Sequence, residues 1–263
     1  MKDLGSAAVA FSGGVDSTFL LMVACGALSE RAIAITARSN VFPAREMSEA
    51  LDFAAANDIR HIVCEMDVLN VEGFAENPEN RCYLCKKSLF SHFRKIAVNE
   101  GMSHLIEGSN VDDDSDYRPG TQAVRELGII SPLRDAGLTK AEIRTLSRQM
   151  GLPSWDKPSF ACLASRFPYG ETITAEKLSA VESSEKLLFD LGFRQVRVRH
   201  HGNLARIEVD AQEMEKMLAD DMRENIFSGL QQAGFIYATL DLRGYRMGSM
   251  NATIGSRTSD STN

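Results

Sequence analysis

Residues 7–21 read AAVAFSGGVDSTFLL, and the architecture can be worked outward from them. Residues 7–11 (AAVAF) make a short apolar run of the kind found in strands buried on both faces. Ser12, Gly13 and Gly14 interrupt the run, and from Ser17 to about residue 28 the chain is apolar with helical character. Without a Cβ, Gly13 and Gly14 let the backbone turn sharply and bring its N–H groups against an anion. The hydroxyls of Ser12 and Ser17 can add donors, and a helix beginning at Ser17 points its positive end at the same place. Asp16 repels a bare phosphate, so it is expected to hold Mg²⁺ against the anion or to fix the loop. No lysine lies in the hexapeptide, which separates it from the G-x-x-x-x-G-K-[ST] phosphate loop.

Strand-like runs recur at 32–36 (AIAIT), 61–66 (HIVCEM) and 104–107 (HLIE), alternating with helical patterns at 43–57 and 81–100. Pro43 opens the first of these helices, where proline is well placed. Strand and helix in alternation imply parallel βαβ units: an α/β fold with a doubly wound parallel sheet covered on both faces. Ligands of such sheets sit beyond the carboxyl ends of the strands, which gathers 12–17, 37–40 and 108–110 at one crevice. A connecting region at 112–170 holds an acidic loop (Asp112, Asp113, Asp114, Asp116), a helix at 139–150 and an irregular stretch from 153. A helix from Thr174 follows, then alternating strands at 195–199 and 205–209 joined by a turn at 200–204. Helices at 212–219 and 223–233 and a strand at 236–242 complete a smaller α+β domain. The expected division is 1–170, 171–248 and a flexible polar tail at 249–263.

The chain has 263 residues, with 29 Lys and Arg against 36 Asp and Glu and a net charge of −7. That balance argues against nucleic acid as a partner, since such binding relies on a basic face. The longest apolar stretch, 19–28, is about half of the roughly 20 residues a bilayer span requires. The first residues lack signal-peptide architecture, so a cytoplasmic protein without membrane association is expected. Five cysteines form an odd set without secretory context and read as reduced thiols. Cys25 and Cys64 sit in apolar runs and read as core.

Cys82 and Cys85 (CYLC) face one side of a helix near its N-terminus, where the helix end and Arg81, Lys86 and Lys87 favour thiolate. Cys162 lies in the irregular stretch PSFACLASR, suited to a nucleophile, with Arg166 after it. The thiols admit several readings: zinc completed by His92, a reversible disulfide between Cys82 and Cys85, an iron–sulfur cluster held by Cys82, Cys85 and Cys162, or Cys162 acting alone. Arg197 and Arg199 lie two apart on a strand and share a face. They either clamp a phosphate or carboxylate or line a solvated surface. The acidic loop likewise reads as a Mg²⁺ site or a solvated turn.

These motifs resemble known proteins. SGGVDS at 12–17 is similar to the signature of the PP-loop ATP pyrophosphatases, which implies cleavage of ATP between the α and β phosphates. In that resemblance Ala37, Arg38 and Ser39, at the end of the second strand, match the stretch that lines the adenine pocket, and Gly108, in the EGSN segment at 107–110, is expected at the same nucleotide site. With DYRPG at 116–120, KPSFACLASR at 157–166, RVR at 197–199 and ARIE at 205–208, the chain resembles the LarE family over about residues 6–251. Those are sulfur-inserting enzymes of nickel-pincer cofactor assembly, associated with lactate racemase. The resemblance implies ATP and Mg²⁺, and a pyridinium mononucleotide with two carboxylates as small-molecule substrate. Each carboxylate would be adenylated, attacked by sulfur with release of AMP, and left as a thiocarboxylate. Cys162 matches the sulfur-donating cysteine. Cys82 and Cys85 beside it match members with a [4Fe–4S] cluster carrying an extra sulfide. Arg166, Arg197, Arg199 and Glu208 then fall at the substrate site, and a homo-oligomer, a hexamer in the family, is implied. Rival readings are a PP-loop tRNA thiolase, which calls for a basic face, and an ATP-binding module without sulfur chemistry.

Overall fold

The computed structural model describes residues 1–114, 119–158, 161–246 and 248–251. The chain divides into two compact units: Met1–Phe74 with Pro78–Phe160, and Ala75–Asn77 with Ala161–Asn263. The expected boundary at 170/171 falls inside the second unit. There the N–H groups of Gly170 and Ile173 bond to the carbonyls of Asn77 (2.9 Å) and Ala75 (2.8 Å). Asn77, wholly buried at φ 54°, donates from Nδ2 to the Pro168 carbonyl at 2.7 Å. Of the expected tail, 252–263 lies outside the described residues.

The first unit is built on a parallel sheet of β1 (Ala7–Ala10), β2 (Ala32–Arg38), β3 (His61–Glu65) and β4 (His104–Ile106), in the order β3-β2-β1-β4. Strand alternation sends successive side chains to opposite faces. Ala7, Val9, Ala32 and Ala34 pack on one side against α1 (Val15–Leu28), whose Phe19, Leu20, Leu21 and Ala24 are buried there. Ala8, Ile33 and Ile35 pack on the other side against Phe90, Phe93 and Ala97. Those three belong to α3 (Arg81–Asn99), while α2 (Ala44–Ala56) links β2 to β3. Burial of each larger side chain among these (Val9, Phe19, Leu20, Leu21, Ile33, Ile35, Phe90 and Phe93) contributes about 1.5–3 kcal/mol, so helices on both faces stabilise the short strands they cover.

Two short helices, α4 (Gly120–Glu126) and α5 (Pro132–Asp135), stand in the region expected to be a connector. Neither is long enough to show a helical period in sequence. The next helix, α6 (Lys140–Gln149), has a full capping box in Thr139 and Glu142 and buries Ile143. Residues 115–118 and 159–160 lie outside the described residues, so Asp116, Tyr117, Arg118, Ser159 and Phe160 are not placed.

The second unit opens with α7 (Ala175–Asp190), capped by Thr174, whose side chain accepts from the Lys177 N–H. Its sheet runs β5 (Val196–His201), β6 (Leu204–Val209), β7 (Tyr237–Leu240), with β5 and β6 antiparallel and β6 and β7 parallel. The turn is only Gly202 and Asn203, so His200 and His201 extend the strand instead of joining the expected longer loop. Between β6 and β7 lie α8 (Met214–Leu218) and α9 (Asp220–Gln232). Val196, Val198, Ala205, Ile207, Leu178, Val181, Leu188 and Leu230 supply the buried core. Among the described residues no helix is long and apolar enough to cross a membrane.

Candidate functional site

At the carboxyl end of β1 the chain turns through Gly13 at φ 69° and enters α1 two residues earlier than the sequence suggests, with Gly14 as N-cap. Helix N-termini leave their first N–H groups without intrahelical acceptors. Here the N–H groups of Gly14, Val15 and Asp16 have no acceptor among the described residues. Ser12 and Ser17 brace the loop: their hydroxyls are 3.1 Å apart, and Ser17 Oγ donates to the Gly14 carbonyl at 3.2 Å. Gly108, after β4, closes one side. A Cβ there would stand 3.1 Å from the Ser17 nitrogen and 3.3 Å from the Asp16 Cβ, so any larger residue would press the loop away by a few tenths of an ångström. Buried Ala37 and exposed Arg38 end the neighbouring strand β2, and the Arg38 side chain is paired with Glu65 at 2.9 Å.

Two lysines bracket the loop, and neither stood out as a site residue in the sequence. Lys140, first residue of α6, places Nζ 2.6 Å from Asp16 Oδ2. The other oxygen, Asp16 Oδ1, is buried without a partner. Burial pushes the Asp16 carboxyl above its ordinary range and Lys140 pulls the other way. A buried, unsatisfied carboxylate oxygen beside an anion-binding helix end suits a hard cation such as Mg²⁺. Lys157 donates to the Gly13 carbonyl at 3.0 Å and pairs with Glu49 at 2.6 Å. Burial alone would raise the Glu49 carboxyl, but the hydrogen bonds from Lys157 and Arg45 hold it below its usual value.

Two carboxylates of the acidic loop have structural roles. Asp112 Oδ2 accepts the Lys140 N–H at 2.8 Å, and Asp113 Oδ2 accepts the Asn110 N–H at 3.0 Å. Nearby Glu107, 6% exposed, accepts from Ser109 N–H at 3.1 Å and Ser109 Oγ at 2.8 Å, which sets the turn into Gly108.

In the second unit, Cys162 is half-buried and caps a 3₁₀ turn, Leu163–Arg166. Arg166 is 0% exposed; its Nε and Nη2 form a two-point pair with Glu185 at 2.9 and 2.7 Å. Arg166 Nη1 donates to the carbonyls of Ala161 and Cys162 (2.9 Å for the latter). One buried guanidinium thus fixes the backbone on which the Cys162 thiol stands. Glu185 Oε1 also accepts the Val198 N–H at 2.9 Å, tying the turn to β5.

Arg197 and Arg199 are 2% and 5% exposed, so the solvated-surface reading does not hold. Arg199 donates to Glu208 Oε2 at 2.7 Å and to Ser249 Oγ at 2.9 Å. Arg197 lies 5.2 Å from the Tyr245 ring centroid, and burial, with Arg166 nearby, pulls it down to about 10. Glu208, 0% exposed, also accepts from Arg206 at 3.1 Å and Ser249 at 2.8 Å. It therefore serves as the buried countercharge of an arginine cluster.

Cys82 and Cys85 stand near the N-terminus of α3, half-buried in the first unit, while Cys162 belongs to the second. Among the described residues no group of three or more His, Cys, Asp or Glu is gathered to hold a metal ion. Cys25 and Cys64 pack against the apolar clusters on either side of the main sheet, and burial pushes both thiols up.

The first unit, a parallel sheet of order β3-β2-β1-β4 with a glycine loop between β1 and α1, is an α/β domain of the PP-loop kind that its relatives share. No family model matches the chain. It is 37% identical, over 97% of its length and 92% of the relative's, to the pyridinium-3,5-bisthiocarboxylic acid mononucleotide synthase of Lactiplantibacillus plantarum. It is 42% identical, over 96% of its length and 94% of the relative's, to the uncharacterized protein slr1717 of Synechocystis sp.. More distantly, 72% of the chain aligns at 24% identity with 65% of a glutamine-hydrolyzing GMP synthase polypeptide of Archaeoglobus fulgidus. The chain belongs to the LarE family, that of the pyridinium-3,5-bisthiocarboxylic acid mononucleotide synthase.

Proposed function

We propose that this chain is an ATP-dependent sulfurtransferase that turns the carboxylates of a pyridinium mononucleotide into thiocarboxylates. One observation carries the nucleotide half of the reading. The N–H groups of Gly14, Val15 and Asp16 lie at the positive end of α1 without acceptors among the described residues. A relative sharing 37% identity bears the name of a synthase whose product is a bisthiocarboxylic acid mononucleotide, which supplies the substrate half.

A carboxylate is a poor electrophile, and adenylation supplies its leaving group. The substrate oxygen attacks the α-phosphorus of ATP, the α–β bond breaks, and pyrophosphate leaves. Cys162 thiolate then attacks the acyl carbon and AMP departs. Loss of the Cys162 α-proton cleaves its Cβ–S bond, freeing the thiocarboxylate and leaving dehydroalanine. Alternatively Cys82, Cys85 and Cys162 would be the ligands of a [4Fe–4S] cluster, which would supply sulfide from outside the polypeptide. Asp16 would hold Mg²⁺, which neutralises phosphate charge. Loop N–H groups orient the polyphosphate, and Arg166 fixes the Cys162 backbone. Arg197 and Arg199 supply positive charge for an anionic mononucleotide.

The test incubates the protein with MgATP and the biscarboxylic acid mononucleotide, following pyrophosphate, AMP and thiocarboxylate together. Cys162→Ala is expected to abolish thiocarboxylate while leaving ATP binding and pyrophosphate release. Product at the wild-type rate from that variant would refute the assignment. Anaerobic purification separates the sulfur sources: about four irons per chain mark a cluster, whereas iron-free protein lacking a sulfur atom at Cys162 after turnover marks the sacrificial route.

A further inference from the structure

We infer that Lys157 is a positioning residue for the phosphate loop: its ammonium holds the Gly13 carbonyl so that the N–H of the same peptide, on Gly14, faces the polyphosphate. This rests on the ATP reading above. A trans peptide carries its C=O and N–H on opposite edges, so fixing one direction fixes the other. Between two glycines that plane is unusually free to flip, because neither residue has a Cβ to bias it. A flip would turn a carbonyl oxygen toward the anion.

Several contacts prevent it. Lys157 Nζ donates to the Gly13 carbonyl at 3.0 Å, and Glu49 Oε2, 2.6 Å away, anchors the ammonium. The Lys157 side chain is 14% exposed and that of Glu49 38%, so the ammonium is shielded while its carboxylate partner faces solvent. Gly13 also leans on α2, where a Cβ would come 3.2 Å from the Ala50 Cβ. The loop is thus held from its carbonyl side while the Gly14 N–H has no acceptor among the described residues. A cation on the carbonyl polarises the peptide and strengthens its N–H as a donor. In the familiar phosphate loop the motif's own lysine touches phosphate. Here a lysine 144 positions further along grips the opposite edge of the peptide.

Calorimetric titrations of wild type, K157M and K157R with inorganic pyrophosphate, MgATP and adenosine test the idea. K157M is expected to lose about tenfold or more in affinity for pyrophosphate and ATP, the worth of one charge-assisted hydrogen bond. Adenosine, which lacks phosphate, should bind within about twofold of wild type, and K157R should recover most of the loss because a guanidinium can donate to the same carbonyl. Equal losses for adenosine and ATP would mark a general structural role and overturn the inference, as would unchanged binding in K157M. Wild type that takes pyrophosphate but not ATP would refute the ATP reading alone, with the pyrophosphate comparison still deciding this one. Wild type that takes neither overturns both. If K157M does not fold, carbonyl-¹³C NMR of Gly13 in the wild type decides. The ammonium-bonded resonance should persist when pyrophosphate is added, and its loss would sink the proposal.

Discussion

Replacing Glu185 with glutamine tests the chain of contacts behind Cys162. The substitution keeps the side-chain shape and one oxygen for the Val198 N–H, which now sits 2.9 Å from Oε1. It removes the only carboxylate paired with Arg166 among the described residues, and that guanidinium is 0% exposed. Breaking a buried pair by neutralising one partner costs about 3–5 kcal/mol. The lower end applies, because the carbonyls of Ala161 and Cys162 still accept from Nη1. At about 2–4 °C per kcal/mol for a chain of this size, the melting midpoint should fall by about 6–12 °C. Scanning calorimetry with urea unfolding followed by circular dichroism measures both quantities. The double variant R166M/E185L removes both charges of the pair and should recover part of the loss, the rest staying with the Val198 N–H and the Ala161 and Cys162 carbonyls it leaves without partners. Sulfur transfer should fall further than ATP binding in E185Q. A midpoint within about 2 °C of wild type would refute the idea that this pair holds the cysteine turn.

Gly13→Ala places a Cβ at φ 69°, 3.2 Å from the Ala50 Cβ. It should cost about 1–2 kcal/mol and weaken ATP in calorimetry, whereas Gly14→Ala at φ −78° should cost less stability. Lys140→Met leaves both Asp16 oxygens short of partners and should lower the midpoint by about 2–4 °C for a contact worth about 1 kcal/mol; an unchanged melt would show that the ion pair carries no stability. Burial pushes the imidazoles of His61, His200 and His201 below their ordinary value. A depressed base favours the fold while neutral. Its contribution is therefore whole above about pH 6.5 and drains away as pH falls through the depressed values. Melting scans from neutral to acid pH should show that loss. His200→Phe, between the rings of Phe167 (5.0 Å) and Phe235 (5.4 Å), should shallow the slope; an identical slope would clear His200 of the effect.

Local rules exposed the nucleotide half of the molecule well. A strand, a glycine pair and a helix in succession have signals within about a dozen residues, and β1 and α1 follow from them. The helix start moved from Ser17 to Val15 because Gly14, not a side chain, serves as the cap. Lys157 opens the quoted KPSFACLASR segment, but its contact with the loop, like that of Lys140, was not legible because their partners, Gly13 and Asp16, are 144 and 124 positions away. A lone surface-type residue says nothing about such a distant partner. Glu185 did carry a signal: it shares the buried stripe of α7 with Leu178, Val181 and Leu188, and a carboxylate at a core position implies a buried cation. The arginines of β5 were legible as a pair sharing a face. Their burial was not, because strand alternation gives the face of a side chain but not what covers it.

The three residues at 75–77 have a consequence for dissecting this chain. A fragment begun at 161 would be synthesised without its Asn77 clasp, leaving Gly170 and Ile173 with amides that water must satisfy and Pro168 missing its donor. Cutting the gene at that seam should therefore yield a loosened, protease-sensitive product, and swapping the C-terminal half between relatives should succeed only when the borrowed piece brings its own short upstream strap.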